Sequence, residues 1–263
     1  MSPSGYYAWQ QRPPSRRSAV DRRLRVELCA AHAESDGTYG SPRLWHAVRR
    51  RGLRVGRKRV IRLMRDEQLV GRPRRRFRVT TESDPRRTPA PNHLGRRFRV
   101  RRRNQAWAGD ITAIPTGEGW LYLAVLLDLY SRRIVGWAID TTLETSLVLT
   151  AWRRAIARRR TAPRLHHSDR GRQYTSTAYQ AALRVRRVRC SMSRRGNCYD
   201  NAVVESFFRT LKLDLNQPVW RTRTLATERI GAYIDGYYNT RRLHSTLGYC
   251  SPAEFEQRRG GTS

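Results

Sequence analysis

Apolar positions fall into two patterns along this chain. Between residues 107 and 190 they come in short dense blocks; in the first hundred they are sparse, set at helical spacing among arginines. The blocks Trp107–Ile114, Trp120–Asp128 and Ile134–Asp140 predict three strands. The second is nearly all apolar, as a central strand should be. The links Pro115–Gly119 and Tyr130–Arg133 are short and polar, which makes these neighbours antiparallel. Leu147, Val148, Ala151, Trp152, Ala155 and Ile156 then recur on one face of a helix. A fourth strand over Arg164–Ser168, a helix near Ser176–Leu183, a fifth strand over Val185–Cys190 and a helix near Asn201–Leu213 follow. The order β-β-β-α-β-α-β-α predicts an α/β fold, a mixed five-stranded sheet with flanking helices. From residue 219 a helix near Thr224–Tyr238 precedes an irregular end.

Upstream, residues 1–36 read as a basic helical segment with a Pro13–Pro14 break. Residues 37–70 predict two short helices. Ser41 is placed to cap the first, with Pro42 in its first turn, an i,i+4 stripe of Leu44 and Val48, and Gly52 past its end. Val60, Leu63 and Met64 share a face of the second. Two helices with a short glycine-bearing turn and basic outer faces fit a helix-turn-helix DNA binder, Arg57, Lys58, Arg59 and Arg62 being the contact candidates; an ordinary helical hairpin with a solvated basic surface fits the same pattern. Residues 71–104 are rich in proline and arginine and read as an unpacked linker, either tracking phosphates or merely solvated. The domains are thus 1–36, 37–70, the linker 71–104, an α/β core over 105–218, and a C-terminal helix and tail over 219–263.

Composition sharpens this. Fifty-four basic residues against 21 acidic ones give a net charge of +33, a field that attracts polyanions and points to nucleic acid. A structural RNA binder shares that property. No apolar run is long enough to span a membrane and the start lacks a secretory apolar region, so a cytoplasmic, nucleoid-associated protein is expected. The four cysteines form no CxxC pair, which indicates reduced thiols rather than a zinc or redox site.

Against such an excess of arginine, an acid inside apolar structure needs a reason. Asp110 sits mid-strand, where either a metal or an arginine would have to offset its burial. Asp169 ends the fourth strand before Gly171 and has a turn-forming alternative. Glu205 lies on the last core helix, sharing a face with Arg209 and Lys212, and an i,i+4 pair with Arg209 is its plain alternative. His166 and His167 are adjacent on a strand, so they point to opposite faces and suit packing better than metal binding. Asp128, at another strand end, reads as structural.

Taken together, the acids fall on strand one, strand four and the final helix. Thirty-five residues separate Asp169 from Glu205, and a lysine follows seven positions after Glu205. The segments Trp107–Thr112, His167–Tyr174, Asn197–Lys212 and Tyr238–Tyr249, with Gly37–Arg43 upstream, complete the pattern. It resembles the D,D-35-E core of retroviral integrases and, over nearly the whole chain, the second-reading-frame (OrfB) product of integrase-like insertion-sequence transposases that move through a circular intermediate. The resemblance implies a ribonuclease-H-like core, with Asp110, Asp169 and Glu205 as catalytic metal ligands for two Mg²⁺ or Mn²⁺ ions. It implies Lys212 near the reacting DNA end, with Arg209 and Tyr174 as further DNA contacts. It also implies metal-dependent 3′-end cleavage and strand transfer on double-stranded DNA, a first-reading-frame protein or fusion as partner, and a homo-oligomer on DNA. A DNA-binding regulator without catalysis, or a nuclease that cuts without joining, are the competing functions. Gly56, where the family commonly has serine, leaves the second basic helix with a weaker cap, and Asp214 replaces a frequent glutamate.

Overall fold

A computed structural model describes residues 2–10, 15–72, 89–194 and 197–260. The Pro13–Pro14 break and most of the linker, residues 73–88, lie outside the described residues. The chain divides into two compact units, Met1–Pro73 and Arg74–Ser263.

The first unit is helical: α1 Pro3–Gln10, α2 Arg16–Glu34, α3 Ser41–Arg50 and α4 Arg57–Asp66. Leu24, Leu28 and Ala31 of α2 form a stripe buried together with Leu44 and Val48 of α3 and Val60, Leu63 and Met64 of α4. None of these short stripes could form a core alone, so α2 joins the helical pair and no boundary falls at residue 36. Ser41 is the first helical residue rather than the cap: Gly40 occupies that position without a side-chain hydrogen bond. Gly52, just beyond α3, takes φ +84°, as a helix-ending glycine does. Gly56 likewise leaves α4 without a side-chain cap.

The second unit holds the sheet. Its strands are β1 Ala106–Thr116, β2 Gly119–Asp128, β3 Ile134–Asp140, β4 Leu165–Ser168 and β5 Arg189–Met192, in the order β3-β2-β1-β4-β5. β1, β2 and β3 pair antiparallel; β1–β4 and β4–β5 pair parallel. Alternation along β2 builds both faces. Leu121, Leu123, Val125 and Leu127 pack with Val204, Phe207 and Leu211 of α8 Ala202–Leu215 and with Ile230 of α9 Arg223–Gly231. Ala124 and Leu126 face α5 Thr145–Arg159, the short α6 Arg172–Thr175 and α7 Thr177–Val185. This is the ribonuclease-H-like architecture expected.

Three elements differ from expectation. Val185 ends α7, 80% exposed; Arg187 turns the chain at φ +53°, and the fifth strand starts at Arg189. The helix expected to reach Tyr238 changes after Gly231 into a π-helical turn, Ala232–Tyr238. The tail is not irregular: after a 3₁₀ turn at Ser245–Leu247, α10 spans Pro252–Gly260. Its start is a reciprocal capping box, Ser251 N–H donating to Glu254 Oε2 and Glu254 N–H to Ser251 Oγ, both 3.3 Å. Glu256 of α10 is buried against Ser131, Arg133 and Arg159.

The described end of the linker is packed, which corrects the reading of an unpacked spacer up to residue 104. Leu94 is buried and Phe98 and Val100 lie on the core. Ser191 Oγ accepts the N–H groups of His93 and Leu94, at 3.0 and 3.1 Å. These three apolar side chains are diluted by arginines, so composition hides them.

Candidate active site

The site grows from the β1–β4 pairing. Trp107 is level with His166 and Ala108 with His167. Continued by two residues, that parallel register sets Asp169 beside Asp110, their side chains on one face of neighbouring strands. Asp169 lies just past β4, where its Oδ1 accepts the Gly171 N–H at 3.0 Å. Glycine at 109 is required by crowding: a Cβ there would sit 2.9 Å from His166 Nε2 and 3.0 Å from a Leu126 methyl.

Helix α8 is laid across β1 by two hydrogen bonds. Asn201, at its start, donates Nδ2 to the Gly109 carbonyl at 3.2 Å. Lys212 Nζ donates to the Ala113 carbonyl at 3.3 Å. The two anchors straddle Asp110 on the strand and Glu205 on the helix. Asn201 was not anticipated; its partner lies ninety-two positions away, so no local pattern marks it.

Charge follows geometry. Burial and the nearby charges of Asp169 and Glu205 push the Asp110 carboxyl well above its ordinary range, against the Ile111 N–H that favours its ionised form. Burial also raises Glu205, opposed by Arg209 one turn along the helix. Asn201 Oδ1 is buried with no hydrogen-bond partner, on the residue bonded to Gly109. The donors gathered here are hard oxygens, which suit Mg²⁺ or Mn²⁺. Among the described residues, no group of three or more His, Cys, Asp or Glu side chains is already arranged to hold a metal ion.

The remaining candidates separate. Arg209 is exposed on α8. Tyr174 is 2% exposed, within the cluster of Trp152, His166 and Tyr179, so the expectation that it touches DNA is corrected. The inward face of α6 carries it under the sheet. His166 accepts or donates at Tyr179 Oη, 3.1 Å away, while His167 meets Ser191 and Ser193 on the opposite face. Burial lowers these histidines to about 3 and about 4, which fits packing. Asp128 is buried, accepts the N–H groups of Asn104 and Tyr130 and pairs with Arg159, a structural role. In the helical unit, Arg59 and Arg62 both bind Asp21, at 2.7 and 2.6 Å, and so brace α4 on α2; Arg57 and Lys58 are exposed.

Asp200 is a further residue that sequence reasoning passed over. Fully buried, it accepts Asn92 Nδ2, Arg96 Nε and the side chain and backbone N–H of Arg194. It ties the linker to the turn that leads into α8.

Comparison with known proteins identifies the family. Integrase core domains match residues 100–198 and 186–252, and an HTH-like domain matches residues 19–77. The "Insertion element IS600 uncharacterized 31 kDa protein" of Shigella sonnei is 41% identical, over 98% of this chain and 96% of its own length. The "Transposase for insertion sequence element IS904" of Lactococcus lactis is 39% identical, over 94% of this chain and 98% of its own. The chain belongs to the insertion-sequence transposases. As such it is a DDE-type polynucleotidyl transferase. Its fold is also that of a chain in a simian T-cell lymphotropic virus intasome, with a TM-score of 0.50 at 16% identity, covering 87% of the transposase and 73% of that chain. No helix among the transposase's described residues is long and apolar enough to cross a membrane.

Proposed function

We propose that this transposase cuts a DNA strand at the end of its insertion element, leaving a 3′-hydroxyl, and joins that hydroxyl to a second phosphodiester. Asp110, Asp169 and Glu205 are the catalytic ligands of two divalent ions, Mg²⁺ or Mn²⁺. Those ions, when bound, supply activation of the attacking oxygen and stabilisation of the leaving one. The observation that supports the reading is the pinning of α8 across β1, with anchors on either side of Asp110 on the strand and of Glu205 on the helix. Burial first, and the Asp169 and Glu205 charges after it, raise Asp110, and a bound cation would offset both.

The chain's own part is placement. Asn201 and Lys212 fix the helix, and Gly109 lets His166 pack beneath the strand without displacing Asp110. Cutting breaks the P–O bond to the element's 3′-oxygen and forms one to the oxygen of water; joining breaks a P–O bond of the second phosphodiester, whose displaced oxygen leaves as a hydroxyl, and forms one from that phosphorus to the element's 3′-oxygen, so no covalent enzyme intermediate is required. Arg57 and Lys58 of the HTH-like unit, with Arg209 and Lys212, contact the duplex. Two ends must meet, so the working form is a homo-oligomer on DNA, with a first-reading-frame protein or fusion contributing to end recognition. The protein acts in the bacterial cytoplasm, at the nucleoid.

Metal dependence is tested without catalysis by thermal melting. Mg²⁺ or Mn²⁺ should raise the wild-type melting temperature and leave that of Asp110→Asn unchanged; equal shifts in both would remove the metal assignment. Cleavage without joined products on an element-end duplex would leave a simple nuclease.

A further inference from the structure

Beyond the carboxylates, α8 ends beside a cavity of about 280 Å³. Ile114, Pro115, Leu211, Leu215, Trp220 and Ile230 form its apolar wall. Arg209 and Lys212 add two cations, Asn216 and Gln217 add amide groups, and among the described residues no acidic side chain lines it. The wall is held in place: Trp220 N–H donates to the Pro115 carbonyl at 3.0 Å, and Gly117 N–H donates to the Trp220 carbonyl at 2.8 Å. Asn216 closes α8 in a left-handed conformation, φ +48°.

A concave apolar slot with an aromatic wall and only positive charges fits a flat, largely apolar group that carries an anion. A nucleotide has that chemistry: its base offers two apolar faces and polar edges, and its phosphate an anion. The position narrows the choice further. Lys212 follows Glu205 by seven residues, about 10 Å along an α-helix. One strand of duplex DNA advances about 3.4 Å per nucleotide, so this distance spans about three steps.

We propose that this cavity takes a single unstacked nucleobase of the bound DNA, within about three nucleotides of the scissile phosphate, against Trp220, with Arg209 and Lys212 on the adjoining phosphates. This rests on the catalytic reading only for the position of the scissile phosphate. Drawing one base out of the stack would anchor the end of the strand and expose that base's identity to the protein, which backbone contacts alone do not. Opening costs least at a duplex end, where a base has only one stacking neighbour.

Photocrosslinking tests it. Duplexes carrying the element's own terminal sequence, with 5-iodouracil placed singly at each of the five positions on either side of the cleavage point, would be bound to the full chain and irradiated, and the crosslinked residue found by mass spectrometry. The expected result is a crosslink to Trp220 or its immediate wall from one position within about three nucleotides of the cut. Leu215→Trp, which fills the cavity from a half-buried position, should lower that crosslink on the order of tenfold per molecule of bound DNA, the effect of losing one base–aromatic stack. Crosslinks confined to residues outside the cavity, or unchanged in Leu215→Trp, would overturn the proposal. Because the crosslink needs no turnover, Asp110→Asn should give it too. Cleavage by the wild type without the Trp220 crosslink would therefore sink the base pocket alone. The crosslink in a protein that fails to cleave with either metal would sink the catalytic reading and keep the pocket.

Discussion

In the helical unit, acids are matched to arginines. Asp21 holds Arg59 and Arg62, Arg51 bridges Glu27 and Glu34, and Arg25 reaches Asp66 and Glu67. The core does the same away from its centre, with Asp128 and Glu256 on Arg159, Asp200 on Arg96 and Arg194, and Asp214 on Arg242. Around Asp110 the rule reverses: the charges that act on its carboxyl are Asp169 and Glu205. In a chain with 54 basic residues, neutralisation is the ordinary fate of an acid. A place where carboxylates gather instead is organised against stability, and such places are where chemistry is found.

The contrast can be broken most sharply at its centre. Asp110→Asn, Asp169→Asn and Glu205→Gln should each reduce cleavage and strand transfer to background while duplex binding persists; substantial strand transfer by any of them removes it from the catalytic set. Next comes a paired acid of the core. Arg242 and Asp214 are 5% and 4% exposed, and Tyr233 Oη also donates to Asp214. Arg242→Ala should destabilise the core by about 3–5 kcal/mol, read from denaturant unfolding, because it strands a buried carboxylate. A loss under 1 kcal/mol would mean that pairing matters less there than burial suggests.

Acid gives a smaller, graded effect. Burial holds His166 at about 3, far below its unfolded value of 6.5, so the unfolded chain takes up a proton that the folded one refuses. The stability this residue contributes is full above pH 6.5 and is lost as pH falls toward 3. Compared with His166→Phe, the wild type should therefore lose stability as pH falls below 6.5, at a rate approaching about 1.4 kcal/mol per pH unit near pH 5. Parallel pH curves would show that the ring is not held neutral. The smallest effect belongs to the helical unit. Lys58→Ala should lower the salt dependence of DNA binding by about one unit of slope, whereas Arg59→Ala, whose charge is engaged with Asp21, should change it less. Equal slopes would erase the distinction between exposed and braced cations.

How much of this was legible depended on how local each cause is. The boundaries of β3 follow from a continuous apolar run and match its expected range, Ile134–Asp140. The place of Asp110 on β1 and of Glu205 on α8 follows from the apolar residues around each, while their reading as one site rests on the resemblance. The fifth strand was misplaced because Val185 and Val188 are β-formers, while Arg187 at positive φ, which separates them, carries no such signal. α10 is not foreseen although Ser251-Pro252-Ala253-Glu254 spells a capping box, because few apolar residues follow it to give a helical stripe. Asn201 acts through a partner ninety-two positions away, and Asp200 and Ser191 reach the linker at Asn92, Arg96, His93 and Leu94, distances that spacing within the chain cannot reveal. Tyr174 failed for the opposite reason: its neighbours in sequence approach the site, but its own ring turns inward.

One contact near the end of the chain bears on solubility. β3 is an outer strand, and Asn239 binds its Ile134 from outside: Oδ1 accepts the Ile134 N–H at 2.9 Å and Nδ2 donates to the Ile134 carbonyl at 3.0 Å. One amide side chain thus imitates the next strand, occupying a donor and an acceptor that another molecule's backbone would otherwise find. The π-helical turn just before it sets the angle from which that amide arrives. Deleting a single residue from this turn would swing Asn239 away by about a quarter of a helical turn and leave a hydrophobic border open to intermolecular strand addition. The tail thus covers one donor and one acceptor on the outer strand of the sheet.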